Sequence, residues 1–169
     1  MPTIEMNWLG QRITTLPDYL RPGLKAVFVG INPATTSVSA GHYYQGTLGI
    51  RFWNRLIEFG IVDKLQRGRE DESLFLLGFG LTDVVKKPSG SAGDLQHQDY
   101  EHGTPLLVKK LSDAAPCVVC FTFAKAANAA ELALEKAGLD TFRMPGPYER
   151  RNIVEQQMGV LAELIRRMD

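Results

Sequence analysis

Val27-Phe28-Val29-Gly30-Ile31-Asn32-Pro33 is an apolar, β-branched run that ends at a glycine and delivers Asn-Pro into a polar loop. Such a run, bounded by turn residues, reads as a buried strand handing residues to a site. In a mostly parallel α/β sheet, ligands collect beyond the carboxyl ends of the strands, and Asn32 falls there. Taken alone, Asn32 also reads as an ordinary turn residue before a proline.

Downstream, residues 32–50 are rich in Thr, Ser, Gly and Tyr without a helical period, so a long functional loop is expected. Arg51 to Gly60 reads as a helix with Phe52, Trp53, Leu56 and Ile57 on one face and Gly60 as its stop. Residues 65–72 are charged and read as an exposed connection, after which Leu74 to Leu77 return to burial and Gly78 to Val85 form a short strand or turn. Lys86-Lys87-Pro88-Ser89-Gly90-Ser91-Ala92-Gly93-Asp94 is a basic, flexible loop, either approaching phosphates or simply solvated. Helices are expected over Thr104 to Ala115 and Ala124 to Ala137, strands over Cys117 to Thr122 and Thr141 to Met144. A closing helix follows, with Val154, Met158, Leu161, Ile165 and Met168 on one face. Upstream, Pro17 and Pro22 bracket a turn-like lead-in that ends near Leu24. Strands alternating with helices predict a single three-layer α/β/α domain over 1–169 with a central, mostly parallel sheet.

With 169 residues, 44% of them hydrophobic, the chain suits one compact core. Acids and bases balance to a formal charge of zero, so nucleic-acid binding would require a local basic surface. Cys117 and Cys120 lie in an apolar run and are expected as two buried free thiols; no second ligand pair supports a zinc site and no helix start supports a redox motif. No stretch has the length of a membrane helix and no basic-then-apolar leader opens the chain, which points to a reducing compartment.

The order of the pieces carries more than any one of them. Leu16-Pro17-Asp18-Tyr19-Leu20, then Gly30-Ile31-Asn32-Pro33, then Arg51-Phe52-Trp53 some twenty residues on, then Gly80-Leu81-Thr82-Asp83-Val84-Val85-Lys86-Lys87-Pro88 and Met144-Pro145, resembles the mismatch-specific uracil/thymine-DNA glycosylases of the uracil-DNA glycosylase superfamily. The likeness runs from about Leu16 to the last helix. It implies the uracil-DNA glycosylase fold and a monofunctional hydrolase of the N-glycosidic bond of uracil, or of a related deaminated or mispaired base as in G·U pairs. The implied partner is DNA, with no metal, no cofactor and no membrane. A monomer is expected, cytoplasmic and nucleoid-associated if the source is bacterial.

On this resemblance Asn32 matches the water-positioning residue, and Gly30 and Ile31 offer backbone to the base edge. Tyr44 is assigned to the base face, with Tyr43 as second choice; ordinary packing under a loop is the competing reading for both. His42 contacts phosphate, base or only solvent. Lys86, Lys87 and Ser89 are expected on the strand backbone, adding salt sensitivity without sequence preference. The second motif departs from the family: relatives follow Met-Pro with Asn-Pro-Ser-Gly or a serine run, whereas this chain has Gly146, Pro147 and the bulky Tyr148. Arg150 falls where thymine-acting relatives place an intercalating arginine; for Arg150 and Arg151, carboxylate pairing or phosphate binding is the alternative. Ala34 replaces the glycine that usually follows Asn-Pro, which reshapes the pocket. Competing functional readings are a weakly catalytic binder of DNA lesions and a hydrolase of free nucleosides or nucleotides.

Overall fold

The computed structural model describes residues 3–169. Its centre is a parallel four-stranded sheet in the order β4-β3-β5-β6, made of β3 (Ala26–Gly30), β4 (Phe79–Asp83), β5 (Val118–Phe121) and β6 (Thr141–Arg143). All five residues of β3 are buried, as a strand covered on both faces requires. Its side chains divide between two cores. Ala26 and Phe28 face a layer with α2 (Thr47–Glu58) and α6 (Arg151–Arg166), meeting Phe52, Trp53, Leu56, Met158 and Leu161. Val27 and Val29 face α4 (His97–Ala114) and α5 (Ala124–Lys136), meeting Leu107, Leu111, Ala126, Ala130 and Leu134. The expected three-layer α/β arrangement with a parallel sheet is the observed one.

Several local expectations are corrected. An antiparallel hairpin, β1 (Ile4–Trp8) and β2 (Gln11–Thr15), precedes the lead-in. It lies on α4, where the Trp8 indole Nε1 donates to Asp99 Oδ1 at 2.9 Å. The region 32–50 is not structureless: α1 (Thr35–Ala40) interrupts it and α2 begins at Thr47. A six-residue helix of Thr, Ser, Val and Ala has little intrinsic propensity. Tertiary contacts hold it, including the buried Ser37 hydroxyl, which accepts from the Gln45 amide at 3.1 Å. The charged connection ends in α3 (Glu70–Leu76), whose first turn carries Glu70, Asp71 and Glu72 beside the positive helix end. Only part of the following apolar run is buried: Leu74 is, Leu76 is 82% exposed. α4 starts at His97 rather than Thr104. Cys120 is buried, but Cys117 is exposed at the strand entrance. No helix among the described residues is long and apolar enough to cross a membrane.

Candidate active site

Beyond the carboxyl ends of β3 and β4 the two exit loops are zipped together. Val84 and Val85 donate their amides to the carbonyls of Gly30 and Ile31, Ser89 donates to Pro33, and Thr35 donates to Ser89. A parallel bridge pairs Ala34 with Ser89. The Asn32 side chain is clamped inside this zipper: its Nδ2 donates to the Lys87 carbonyl and to Ser89 Oγ, both at 2.8 Å. A backbone carbonyl only accepts, so it fixes which end of the amide faces the loop. The Asn32 Oδ1 is thereby turned away from the loop, and among the described residues no donor occupies it.

Asn32 lines a cavity of about 150 Å³ together with Leu16, Pro33, Tyr43, Tyr44, Leu48, Asp83 and Phe123. That is smaller than the roughly 300–1,000 Å³ of sites for drug-sized ligands, and suits one heterocyclic ring better than a whole nucleotide. Tyr44 forms one wall in a left-handed backbone conformation, φ 53°. Its carbonyl accepts from the Trp53 indole at 3.0 Å, its hydroxyl meets Thr122 Oγ1 at 3.1 Å, and its ring packs on Phe52 with centroids 4.4 Å apart. The left-handed turn brings the Tyr44 carbonyl so near Gly49 that a Cβ there would lie 1.9 Å from it. A Cβ on Gly30 would lie 2.5 Å from Asp83 Oδ1 and 2.9 Å from the Tyr44 hydroxyl, so both polar groups rest on bare backbone.

Asp83 is the residue sequence reading missed. It closes β4 in register with Gly30, is 2% exposed, and its Oδ2 is buried with no hydrogen-bond partner. Burial raises its carboxyl to about 6; Lys86 and Lys110 draw it down and Asp18 pushes it up. A buried, unsatisfied acid lining a cavity is a functional-site signature. The available signal was an acidic residue ending the apolar run Phe79-Gly80-Leu81-Thr82, the same pattern that singles out Asn32.

Lys86 does not face outward. It is 4% exposed, and its ammonium donates to Asp18 Oδ1 at 2.9 Å and to the Tyr43 hydroxyl at 3.1 Å. The phosphate-contact reading for Lys86 is therefore corrected to a structural one. Tyr43 is built into the same network: its hydroxyl donates to the Pro17 carbonyl at 2.9 Å, and its own amide donates to Asp71 Oδ2 at 2.9 Å. It reaches the cavity as a fixed wall. His42 is tied to the buried Asp71 carboxylate at 2.9 Å and is not among the residues lining the cavity. Ser89 is half-buried beside Asn32, and its hydroxyl donates to the Ser91 carbonyl at 2.6 Å.

The second-motif loop is strapped to α2. Arg55 donates to the Pro145 and Gly146 carbonyls at 2.8 and 3.0 Å, Arg51 donates to the Pro147 carbonyl at 2.8 Å, and the Arg51 guanidinium lies 5.4 Å from the Tyr148 ring centroid. Tyr148 is 78% exposed. A Cβ on Gly146 would meet nothing, so no steric demand keeps a glycine there. Arg151 is spent on Glu58 and Glu155, whereas the exposed Arg150 side chain makes no ion pair among the described residues. Among the described residues, no three His, Cys, Asp or Glu side chains group as metal ligands.

The profile of the Uracil DNA glycosylase superfamily matches residues 17–161. Among solved structures, the chain is similar to a Methanosarcina acetivorans protein determined by solution NMR as a candidate uracil DNA glycosylase. The TM-score is 0.59 at 19% identity, covering 89% of this chain and 96% of that one. At that identity the likeness speaks for the fold. The matched span takes in both zipped loops, the Tyr44 turn and the strapped second motif, and the chain belongs to the uracil DNA glycosylase superfamily.

Proposed function

We propose that this chain is a monofunctional DNA glycosylase of the mismatch-specific uracil/thymine branch, hydrolysing the N-glycosidic bond of uracil or a related deaminated or mispaired base and leaving an abasic site. The observation that carries the reading is the clamped Asn32 amide lining a ring-sized cavity, its oxygen without a donor among the described residues. The reacting sugar carbon is unreachable inside a stacked duplex, so the target base must be extruded into that cavity. Tyr44, with its carbonyl, hydroxyl and ring all engaged, offers a pre-set aromatic wall for stacking, an interaction worth roughly 1–3 kcal/mol per base.

Asn32 Oδ1 accepts a hydrogen bond from water and holds it against the sugar as the bond to the base loosens. An amide does not ionise, so it orients the water without taking its proton, and most of the barrier must be lowered by stabilising the departing base. Slow turnover on bases that leave readily as anions follows. No lysine lies in the Gly30-Ile31-Asn32-Pro33 turn, so no Schiff-base step is expected. Of the four cations expected on DNA, Lys86 and Arg151 are ion-paired, which leaves Lys87 and Arg150 to meet phosphate or fill the gap of the extruded base.

Incubating the protein with uracil-containing duplex and single strand, then cleaving abasic sites with alkali, tests this. Strand breaks that vanish in Asn32→Ala are expected. Tight binding without breaks would replace the reading with a lesion binder, and release only from free nucleoside would replace it with a nucleoside hydrolase.

A further inference from the structure

A cation stands behind the Tyr43 wall of the cavity. The Lys86 ammonium donates to the Tyr43 hydroxyl at 3.1 Å and lies 5.6 Å from the Tyr43 ring centroid. Tyr43 lines the cavity and Lys86 does not, so the charge acts on an occupant through the phenol rather than by contact. The Tyr43 hydroxyl donates in turn to the Pro17 carbonyl, which fixes the phenol beside the ammonium. A charge held under a buried ring is poorly screened and is felt across it.

The sign of the field follows from a count of the neighbouring charges. Asp18 accepts from Lys86 and from Lys110, each at 2.9 Å, and two ammonium groups against one carboxylate leave one positive charge in excess. A single lysine on Asp18 would present a neutral pair; Lys110 from α4 takes the second carboxylate oxygen and leaves the Lys86 charge uncancelled. Asp83, raised by burial to about 6, does not offset that charge while it keeps its proton. Asp71 sits at the backbone end of Tyr43, where it also holds His42, and is not among the residues lining the cavity. Burial keeps the Tyr19 and Tyr44 hydroxyls protonated. A buried ion pair is seldom more stabilising than well-packed apolar residues, so bracing the scaffold gives little reason for two lysines here.

We infer that Lys86 is a positioning residue of the reaction: acting through the Tyr43 phenol, it holds the cavity at a positive potential that stabilises the base as it departs as an anion. The inference rests on the glycosylase reading and names the source of the help that an amide-held water cannot give. In the hydrolysis the water oxygen bonds to the sugar carbon, the glycosidic electron pair leaves on the base, and the water's surplus proton ends on the released base. Lys86 transfers no proton. Its charge is in place before the base charge grows, so no reorganisation is needed at the moment of reaction.

Three substitutions in the full chain separate a field from a brace: Lys86→Met, Lys110→Met and Asp18→Asn. Each is measured at about pH 5, below the Asp83 midpoint, by single-turnover excision of uracil and of 5-fluorouracil, the more acidic and better-leaving base, from duplex DNA. Lys86→Met is expected to slow uracil excision by about ten- to a hundredfold and 5-fluorouracil excision by less. Asp18→Asn breaks the same pair from its other end, yet should speed uracil excision by about threefold or more, because the cavity then gains positive charge. Lys110→Met, at a partly exposed site, should act like Lys86→Met at smaller size, and it carries the test if Lys86→Met does not fold. NMR of the Asp83 carboxyl reads the potential without DNA: its midpoint should rise in both lysine variants and fall in Asp18→Asn. Equal slowing of the two bases by the lysine variants, slowing by Asp18→Asn, or an Asp83 midpoint that none of the three moves overturns the inference alone. No excision by wild type from any DNA removes the glycosylase reading and the inference with it.

Discussion

Asp18 and Asp83 lie near the same two lysines and are driven to opposite states. Asp18 Oδ1 accepts from Thr82 Oγ1 at 2.6 Å and Lys86 Nζ at 2.9 Å, and its Oδ2 accepts from Lys110 Nζ at 2.9 Å. Burial alone would raise its carboxyl, but the two lysines and the Thr82 hydroxyl outweigh burial and bring it down to about 2. Asp83, one residue after Thr82 and pointing to the other face of the strand, has no such donors and rises to about 6. A carboxylate with its lone pairs met ties the lead-in to β4 and α4 and belongs to the scaffold. The acid left without a partner is the one positioned for something that arrives.

The largest effect expected on the site side of this contrast comes from Asn32→Ala, which should lower single-turnover excision by about 10²–10⁴-fold. Thermal unfolding should move little, because only two hydrogen bonds, each worth about 1 kcal/mol, are removed. Lys86→Ala should do the reverse. Taking one partner from a buried pair is expected to destabilise the fold by about 3 kcal/mol in urea denaturation, while leaving the salt dependence of DNA binding unchanged. A lysine that gripped phosphate would instead lower that salt slope by about one.

The pH dependence of stability separates the two acids directly. Asp18 is lower in the folded state, so its contribution of about 2 kcal/mol is present above about pH 4 and lost as pH falls toward 2. Asp83 is higher in the folded state and binds its proton more tightly there. Its own contribution is therefore greatest below about pH 4 and falls by about 3 kcal/mol as pH rises to 6 and beyond. Denaturation of wild type and Asp83→Asn at about pH 5 and pH 8 checks this: the variant should gain stability, and gain more at the higher pH. The smallest effect is expected at Arg150→Ala, which should reduce the salt slope of DNA binding by about one with no change in Tm, in contrast to Arg151→Ala, whose side chain is already paired.

Much of this was legible in the chain because β3 and its exit are local: five apolar residues, a glycine and an amide are adjacent, and their meaning does not depend on distant partners. The Tyr44 wall was legible only by resemblance, since nothing in Gly41-His42-Tyr43-Tyr44 says which ring turns inward. Lys86 was misread for a physical reason: its partner Asp18 is 68 positions away, and a Lys-Lys pair beside Pro, Ser and Gly looks solvated until the fold closes over it. Asp83 was passed over because an acid at a strand end is ordinary, and its want of donors exists only in three dimensions. The hairpin could have been found, since Ile4, Met6 and Trp8 alternate with polar residues at the period of a strand.

The pairing of the two exit loops, Ala34 beside Ser89, joins two stretches that are more than fifty positions apart into one ladder. Neither stretch can then change length alone: an insertion between Val85 and Ser89 would shift the carbonyl and hydroxyl that grip Asn32 and swing its oxygen off target. Drift in chain length must be absorbed elsewhere, for instance in the exposed connection ahead of α3, and these two turns must change together or not at all.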